Sequence, residues 1–168
     1  MRRAAAVLST VAVALFSAEL FSAEVAAQNP DFAGSWTRIE DGSGGGGGGG
    51  GRGGRGGRGG LGMSATVVQN AATLTITRQG RGGEMSTVYN LDGSETTTTV
   101  QGRGGEQTLT SKAAWSNGRL TITTTGGNQG QTTMVLSLDA DSNLVVETTS
   151  PGRGGGDPVT TTVKYSKS

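Results

Sequence analysis

The 168-residue chain contains no cysteine and no histidine, and these two absences remove several classes of protein chemistry at once. Without cysteine there are no disulfides and no thiol nucleophile, and without histidine there is no imidazole base. The usual zinc and haem ligands and the histidine-dependent triads are excluded with them. The few carboxylates mostly lie in turn-like sequence, so no pair of glycosidase acids is indicated. We therefore expect a protein that is not an enzyme and that holds no metal and no cofactor.

Long apolar segments are also scarce, and the only one lies at the N-terminus. Two arginines precede an apolar stretch from Ala4 to Phe16, and Val25-Ala26-Ala27 places small residues before a cleavage point. This is the pattern of a secretory signal, and the stretch is shorter than the roughly 20 residues of a membrane anchor, which is the alternative. We expect residues 1–27 to be removed near Ala27. Residues 28–168 would then form one secreted or periplasmic domain with no membrane span.

The rest of the chain has the pattern of short β-strands. Threonine, valine and isoleucine recur in short runs, and no segment has the periodicity of a helix. The short spacing between runs predicts antiparallel neighbours. The ten predicted strands are Gly34 to Glu40, Ala65 to Gln69, Thr73 to Gln79, Met85 to Asn90, Glu95 to Gln101, Gln107 to Ser116, Arg119 to Thr125, Gln131 to Leu138, Asn143 to Thr149 and Val159 to Ser166.

Apolar side chains alternate with threonine and lysine along these runs, so each strand has an inner and an outer face. The inner set is small, and a thin core favours a sheet without open edges. We predict an all-β up-and-down meander of about ten strands closed into a barrel, with a two-sheet sandwich as the alternative. The inner residues either pack a core or line a ligand site. They are Leu74, Ile76, Tyr89, Leu109, Trp115, Leu120, Ile122, Met134 and Tyr165.

The connections divide into two kinds. Those from even to odd strands are tight turns rich in asparagine, aspartate and glycine, such as Asn117-Gly118. Those from odd to even strands are glycine-rich and longer. In a meander the two kinds must lie at opposite ends, so the sequence predicts one closed end and one end bearing the glycine-rich loops.

The segment Asp31-Phe32-Ala33-Gly34-Ser35-Trp36 resembles the first strand of lipocalins and fatty-acid-binding proteins and, more specifically, of small secreted bacterial lipocalin-like proteins that begin with Phe-x-Gly-x-Trp. The resemblance implies a lipocalin-like barrel whose base is closed by Phe32, Gly34 and Trp36. It also implies a small hydrophobic or amphipathic ligand, a long first connection at the open mouth, and a basic residue, Lys164 or Lys167, over the tryptophan. The interior is rich in threonine, so a filled barrel and a ligand-holding barrel both remain open.

A glycine- and arginine-rich tract occupies residues 41–63 and includes an unbroken glycine run from Gly44 to Gly51. Arginine–glycine repeats occur in RNA-binding proteins, but such repeats usually include aromatic residues, and none lies in this tract. We expect a disordered loop, no specific nucleic-acid partner and at most weak contact with polyanions such as envelope polysaccharide. The alternative function is thus a structural or adhesive surface module. The arginines that would make this contact are Arg52, Arg55, Arg58, Arg81, Arg103 and Arg153.

Overall fold

The computed structural model describes residues 29–39, 60–80, 83–102, 105–127, 130–152 and 155–168. These ranges form ten β-strands, and each boundary lies within two residues of the predicted one. The part of the chain that the structure describes contains no helix long and apolar enough to cross a bilayer. The strands are β1 (Gly34–Arg38), β2 (Ser64–Gln69), β3 (Thr73–Gly80), β4 (Gly83–Asn90), β5 (Glu95–Gly102), β6 (Gly105–Ser116), β7 (Arg119–Gly126), β8 (Thr132–Leu138), β9 (Leu144–Ser150) and β10 (Val159–Lys167).

All ten strands belong to one antiparallel sheet with the order β4-β3-β2-β1-β10-β9-β8-β7-β6-β5. The first strand pairs with the last, with Trp36 opposite Lys167, so the meander curls into a nearly closed barrel. The predicted barrel is therefore confirmed, and the two-sheet sandwich is wrong. A seam remains between β4 and β5, since within the described ranges each pairs only with its other neighbour. At the closed end, the Asn90 N–H donates a hydrogen bond to Thr96 Oγ1 at 3.2 Å across this seam.

Tight turns form the closed end, as predicted. Asn117 and Gly118 have φ values of 49° and 72°, which is the conformation of a two-residue hairpin turn that matches the twist of its strands. In the β8–β9 turn, Asp139 accepts hydrogen bonds from the N–H groups of Asp141 and Asn143 at 3.0 and 2.9 Å. The five other connections leave from the opposite end, which we call the mouth.

The residues before β1 plug the closed end. Phe32 is fully buried, and its ring stacks on Trp115 with a centroid distance of 5.6 Å. The Gln69 amide fixes this segment twice: its oxygen accepts from the Phe32 N–H, and its nitrogen donates to the Pro30 carbonyl, both at 3.0 Å. Trp36 is buried beside it and donates from Nε1 to the Phe32 carbonyl at 2.8 Å. The closed half is thus a packed apolar core.

Residues Gly60–Met63, which we call the return segment, lead the chain back into β2. Leu61 is 1% exposed and belongs to the hydrophobic core. The Gly60 N–H donates to Thr148 Oγ1 at 3.1 Å, and the Leu61 N–H donates to the Tyr165 hydroxyl at 2.7 Å. Of the loop that is expected to be disordered over residues 41–63, residues 60–63 are therefore held in place by a buried leucine and two hydrogen bonds. Residues 41–59 and the expected signal peptide, residues 1–27, lie outside the described ranges.

Candidate ligand cavity

The mouth half of the barrel contains a cavity of about 290 Å³. Its wall is formed by strands β3 to β9 together with Gly60 of the return segment. We call it the mouth cavity. Its apolar wall residues are Met85, Val100, Leu109, Ile122 and Met134. Its serine and threonine residues are Thr87, Thr98, Ser111, Thr124, Thr132, Thr148 and Ser150.

The cavity exists because inward-facing side chains become smaller toward the mouth. Along β7 the inner positions are Leu120, Ile122, Thr124 and then Gly126, and the first two are buried. Strand β9 repeats this order, with Leu144 and Val146 followed by a threonine and a serine. Large buried side chains fill the closed half, and small ones leave space in the other half.

Some of the hydroxyl groups in the wall form hydrogen bonds within the protein. Ser111 and Thr124 lie opposite each other on β6 and β7, and their side-chain oxygens are 2.8 Å apart in a hydrogen bond. Thr148 is also engaged, because it accepts the Gly60 N–H. The first bond joins β6 to β7 and the second joins β9 to the return segment, and the remaining serine and threonine residues line the same cavity.

A single charged side chain, Arg78, is present among the described residues that line the cavity. Strand β3 alternates Leu74, Ile76 and Arg78 toward the interior, and the cross-strand partners of Arg78 are Ala65 and Met85. Tyr89 on β4 also lines the cavity. Burial raises the pKa of the Tyr89 phenol above its ordinary value of 10.0, and the positive charge of Arg78 acts in the opposite direction. At neutral pH the cavity therefore contains a guanidinium and a protonated phenol, both hydrogen-bond donors.

The residues predicted to face the interior do so, but they divide between core and cavity. Tyr89, Leu109, Ile122 and Met134 line the mouth cavity. Leu74, Ile76, Leu120 and Tyr165 are buried in the packed core, and Trp115 is half-buried at the closed end against Phe32. Arg78 was missed, although the same alternation that predicts Leu74 and Ile76 to face inward also predicts it.

The base motif brings Phe32, Gly34 and Trp36 together at the closed end. Gly34 has φ of 146°, and a side chain there would meet Lys167, whose Cε would lie 2.6 Å from an added Cβ. Lys167 Nζ lies 5.7 Å from the centroid of the Trp36 ring. Lys164 instead pairs with Asp139, with Nζ and Oδ2 3.1 Å apart. The resemblance implied that either Lys164 or Lys167 lies over the tryptophan, and the structure places Lys167 there.

The six arginines considered for polyanion contact, Arg52, Arg55, Arg58, Arg81, Arg103 and Arg153, lie outside the described residues. The structure does describe the strand ends on either side of Arg81 and Arg103. Gly80 pairs with Gly83, and Gly102 pairs with Gly105, at the mouth ends of the β3–β4 and β5–β6 ladders. The connections that carry these arginines therefore leave from the end of the barrel that holds the cavity.

Comparison with known proteins gives a fold and no family. No protein-family model matches the chain. No curated protein matches it either. Among solved structures, it is similar to human cRBP IV, a cellular retinol-binding protein, with a TM-score of 0.53 and 16% sequence identity over 83% of this chain and 99% of that chain. The two proteins share the fold of a lipocalin-like or fatty-acid-binding-protein-like barrel.

Proposed function

We propose that the protein is a secreted, non-enzymatic, lipocalin-like barrel that binds a small hydrophobic or amphipathic molecule in the mouth cavity. The observation that carries the proposal is the cavity of about 290 Å³ at one end of a barrel whose other end is packed. Small-molecule sites are usually preformed concave spaces. The similarity in fold to a retinol-binding protein supports this proposal.

A ligand panel with a cavity-filling variant tests this function. Lipids, small amphipathic molecules and hydrophobic dyes are titrated while tryptophan fluorescence and melting temperature are measured. We expect at least one to bind the natural protein and to lose binding in Leu109→Trp, because Leu109 is in the cavity wall. The matched control is Thr108→Trp, since Thr108 is exposed and points outward from the same strand. The proposal fails if no compound binds, or if Leu109→Trp binds as well as the control.

The proposed secreted location is based on the sequence of residues 1–27. Arg2 and Arg3 followed by the stretch from Ala4 to Phe16 are typical of a secretory signal. Expression in a Gram-negative host should give a periplasmic protein whose first residue is Gln28. Mass spectrometry of the intact chain measures this directly, and a cytoplasmic product that retains residue 1 would contradict it.

A second candidate is a surface module that contacts polyanions. It is favoured by the topology, because all five mouth connections, including those with the arginines, leave from one end of the barrel. The test replaces Arg52, Arg55 and Arg58 with serine, which preserves the length of the connection. Retention on a heparin column should become weaker and lose its salt dependence, whereas Arg119→Ser, on the outer wall, should not change it. Equal retention of the triple variant and the natural protein would exclude polyanion contact through Arg52, Arg55 and Arg58.

A further inference from the structure

The inference concerns Arg78 and depends on the proposed function of the mouth cavity as a ligand site. Arg78 is half-buried, and none of the described residues that line the cavity carries a carboxylate. The ion pairs among the described residues are Lys112–Glu95, Arg119–Glu147 and Lys164–Asp139, and none involves Arg78. Partial burial of a guanidinium without a counter-ion has a free-energy cost, and an anion bound beside it would reduce that cost.

The other wall residues indicate which further chemical groups the anion has. Ten of the described wall residues have polar side chains, and five are apolar, which is the reverse of the usual balance in a lipid-binding site. Seven of the ten are serine or threonine, and Tyr89 adds a phenol. Hydroxyl groups both donate and accept hydrogen bonds, so they suit a ligand that also carries hydroxyl groups.

The size of the cavity limits the ligand further. A volume of about 290 Å³ corresponds to about ten water molecules at roughly 30 Å³ each. A ligand enclosed there has on the order of 10 to 15 non-hydrogen atoms, since covalently bonded atoms pack more closely than liquid water. A long acyl chain would extend beyond this volume.

We propose that Arg78 is an anion-binding residue of the mouth cavity and that the natural ligand is a compact, hydroxylated monocarboxylate. The guanidinium faces the carboxylate, for which its planar pair of donors is well suited. Tyr89 donates from its phenol, and the serine and threonine side chains bind the hydroxyl groups. Met85, Leu109 and Met134 cover the carbon skeleton.

The probes are two matched pairs, glucuronate with glucuronamide and salicylate with salicylamide. Within a pair the size is nearly the same, but the amide is uncharged and has an NH2 donor in place of one acceptor oxygen. Isothermal titration of the full chain at neutral pH should show that at least one carboxylate binds more tightly than its amide. Arg78→Gln should weaken binding of that carboxylate by about 10- to 100-fold and leave the amide nearly unchanged. Arg119→Gln, which removes an arginine already paired with Glu147, is the matched control and should change neither.

A second measurement separates a binding role from a structural one. Because Arg78 has no carboxylate partner among the described residues, ligand-free Arg78→Gln should melt no lower than the natural protein. A lower melting temperature, with the preference for carboxylate retained, would assign Arg78 a structural role and overturn the proposal. Equal binding of carboxylates and amides would overturn it too. If the lipid and dye panel binds but no carboxylate does, this inference fails and the proposed function stands; if nothing binds, both fail.

Discussion

The Tyr165 hydroxyl accepts a hydrogen bond from the Leu61 N–H at 2.7 Å and, in turn, donates one to the Gly62 carbonyl at 3.1 Å. One side chain of the last strand therefore satisfies two backbone groups of the return segment, which is about 100 residues earlier in the chain. Burial raises the pKa of Tyr165 above 10.0, so the phenol remains a donor over the physiological range. This contact fixes the point at which the chain re-enters the barrel.

Tyr165→Phe should lower the free energy of unfolding by about 1–3 kcal/mol, because the Leu61 N–H would remain buried without an acceptor. Urea denaturation measures the change. The matched control is Tyr89→Phe, since the Tyr89 side chain lines the cavity and forms no hydrogen bond to the backbone among the described residues. Equal stabilities of the two variants would contradict the role given to Tyr165.

Leu61→Ala should destabilise the protein by about 2–5 kcal/mol, the usual cost of removing a fully buried leucine side chain. Leu61 is 1% exposed, whereas Met63, two residues later, is 62% exposed. Met63→Ala should therefore change the stability by no more than about 0.5 kcal/mol. If both variants unfold at the same urea concentration, the return segment does not contribute to the core.

Gly126→Ala should destabilise the protein more than Gly105→Ala. The two glycines have similar backbone angles, with φ of 108° and 102°, so the strain of a side chain there is similar. An added Cβ at Gly126 would collide with the Thr108 carbonyl oxygen, but at Gly105 it would meet nothing within 4 Å. The difference should be about 1–3 kcal/mol, as for other overpacked sites. Thermal melts of both variants check this, and a difference near zero would contradict it.

Asp139→Ala should destabilise the β8–β9 turn in a pH-dependent manner. Hydrogen bonds, first from the Asn143 backbone, hold the pKa of Asp139 below its ordinary value of 3.8, and the Lys164 ammonium acts in the same direction. A carboxylate with a lowered folded pKa stabilises the fold above its unfolded pKa, and this contribution is lost as the pH falls through the folded pKa. The stability difference between Asp139→Ala and the natural protein should therefore be full at pH 7 and shrink below about pH 3.8.

The control for this experiment is Asp141→Ala in the same turn. The Asp141 side chain is exposed, and only its backbone N–H contacts Asp139. Denaturant melts at pH 7 should show only a small effect for this variant, because its side chain accepts no hydrogen bond among the described residues. A difference for Asp139→Ala that does not change with pH would contradict the assigned cause.

The strand pattern could be predicted from the sequence because one face of nearly every strand is buried. Alternation predicted the inner positions of Leu120, Ile122 and Met134, and turn residues such as Asn117 predicted the closed end. Period-two alternation gives the direction of a side chain but not its depth along the barrel. For this reason the sequence did not separate Leu120, in the packed half, from Ile122, in the cavity wall.

Two other features, the burial of Leu61 and the position of Arg78 in the cavity, could not be predicted from the sequence. Leu61 lies next to a long glycine-rich tract, so its burial has no local signal, and it depends on Tyr165 far along the chain. Arg78 lies on the inner face by alternation, but an arginine is usually exposed, and composition alone gives no reason to expect one in the interior. Leu61 is buried although it follows a glycine-rich tract, and Arg78 faces the interior although arginine is usually exposed. Such departures from local sequence rules are common at functional sites.

The junction beside β1 also has a practical consequence for protein engineering. The Arg38 N–H donates to the Met63 carbonyl at 2.9 Å, so the chain segments that bound residues 40–59 are hydrogen-bonded neighbours. A foreign peptide grafted between Ile39 and Gly60 would start and finish at adjacent points of a rigid scaffold. Doubling its length would cost about 0.6 kcal/mol. The barrel thus offers a display position for inserted epitopes or for new chain termini, next to the entrance of its own cavity.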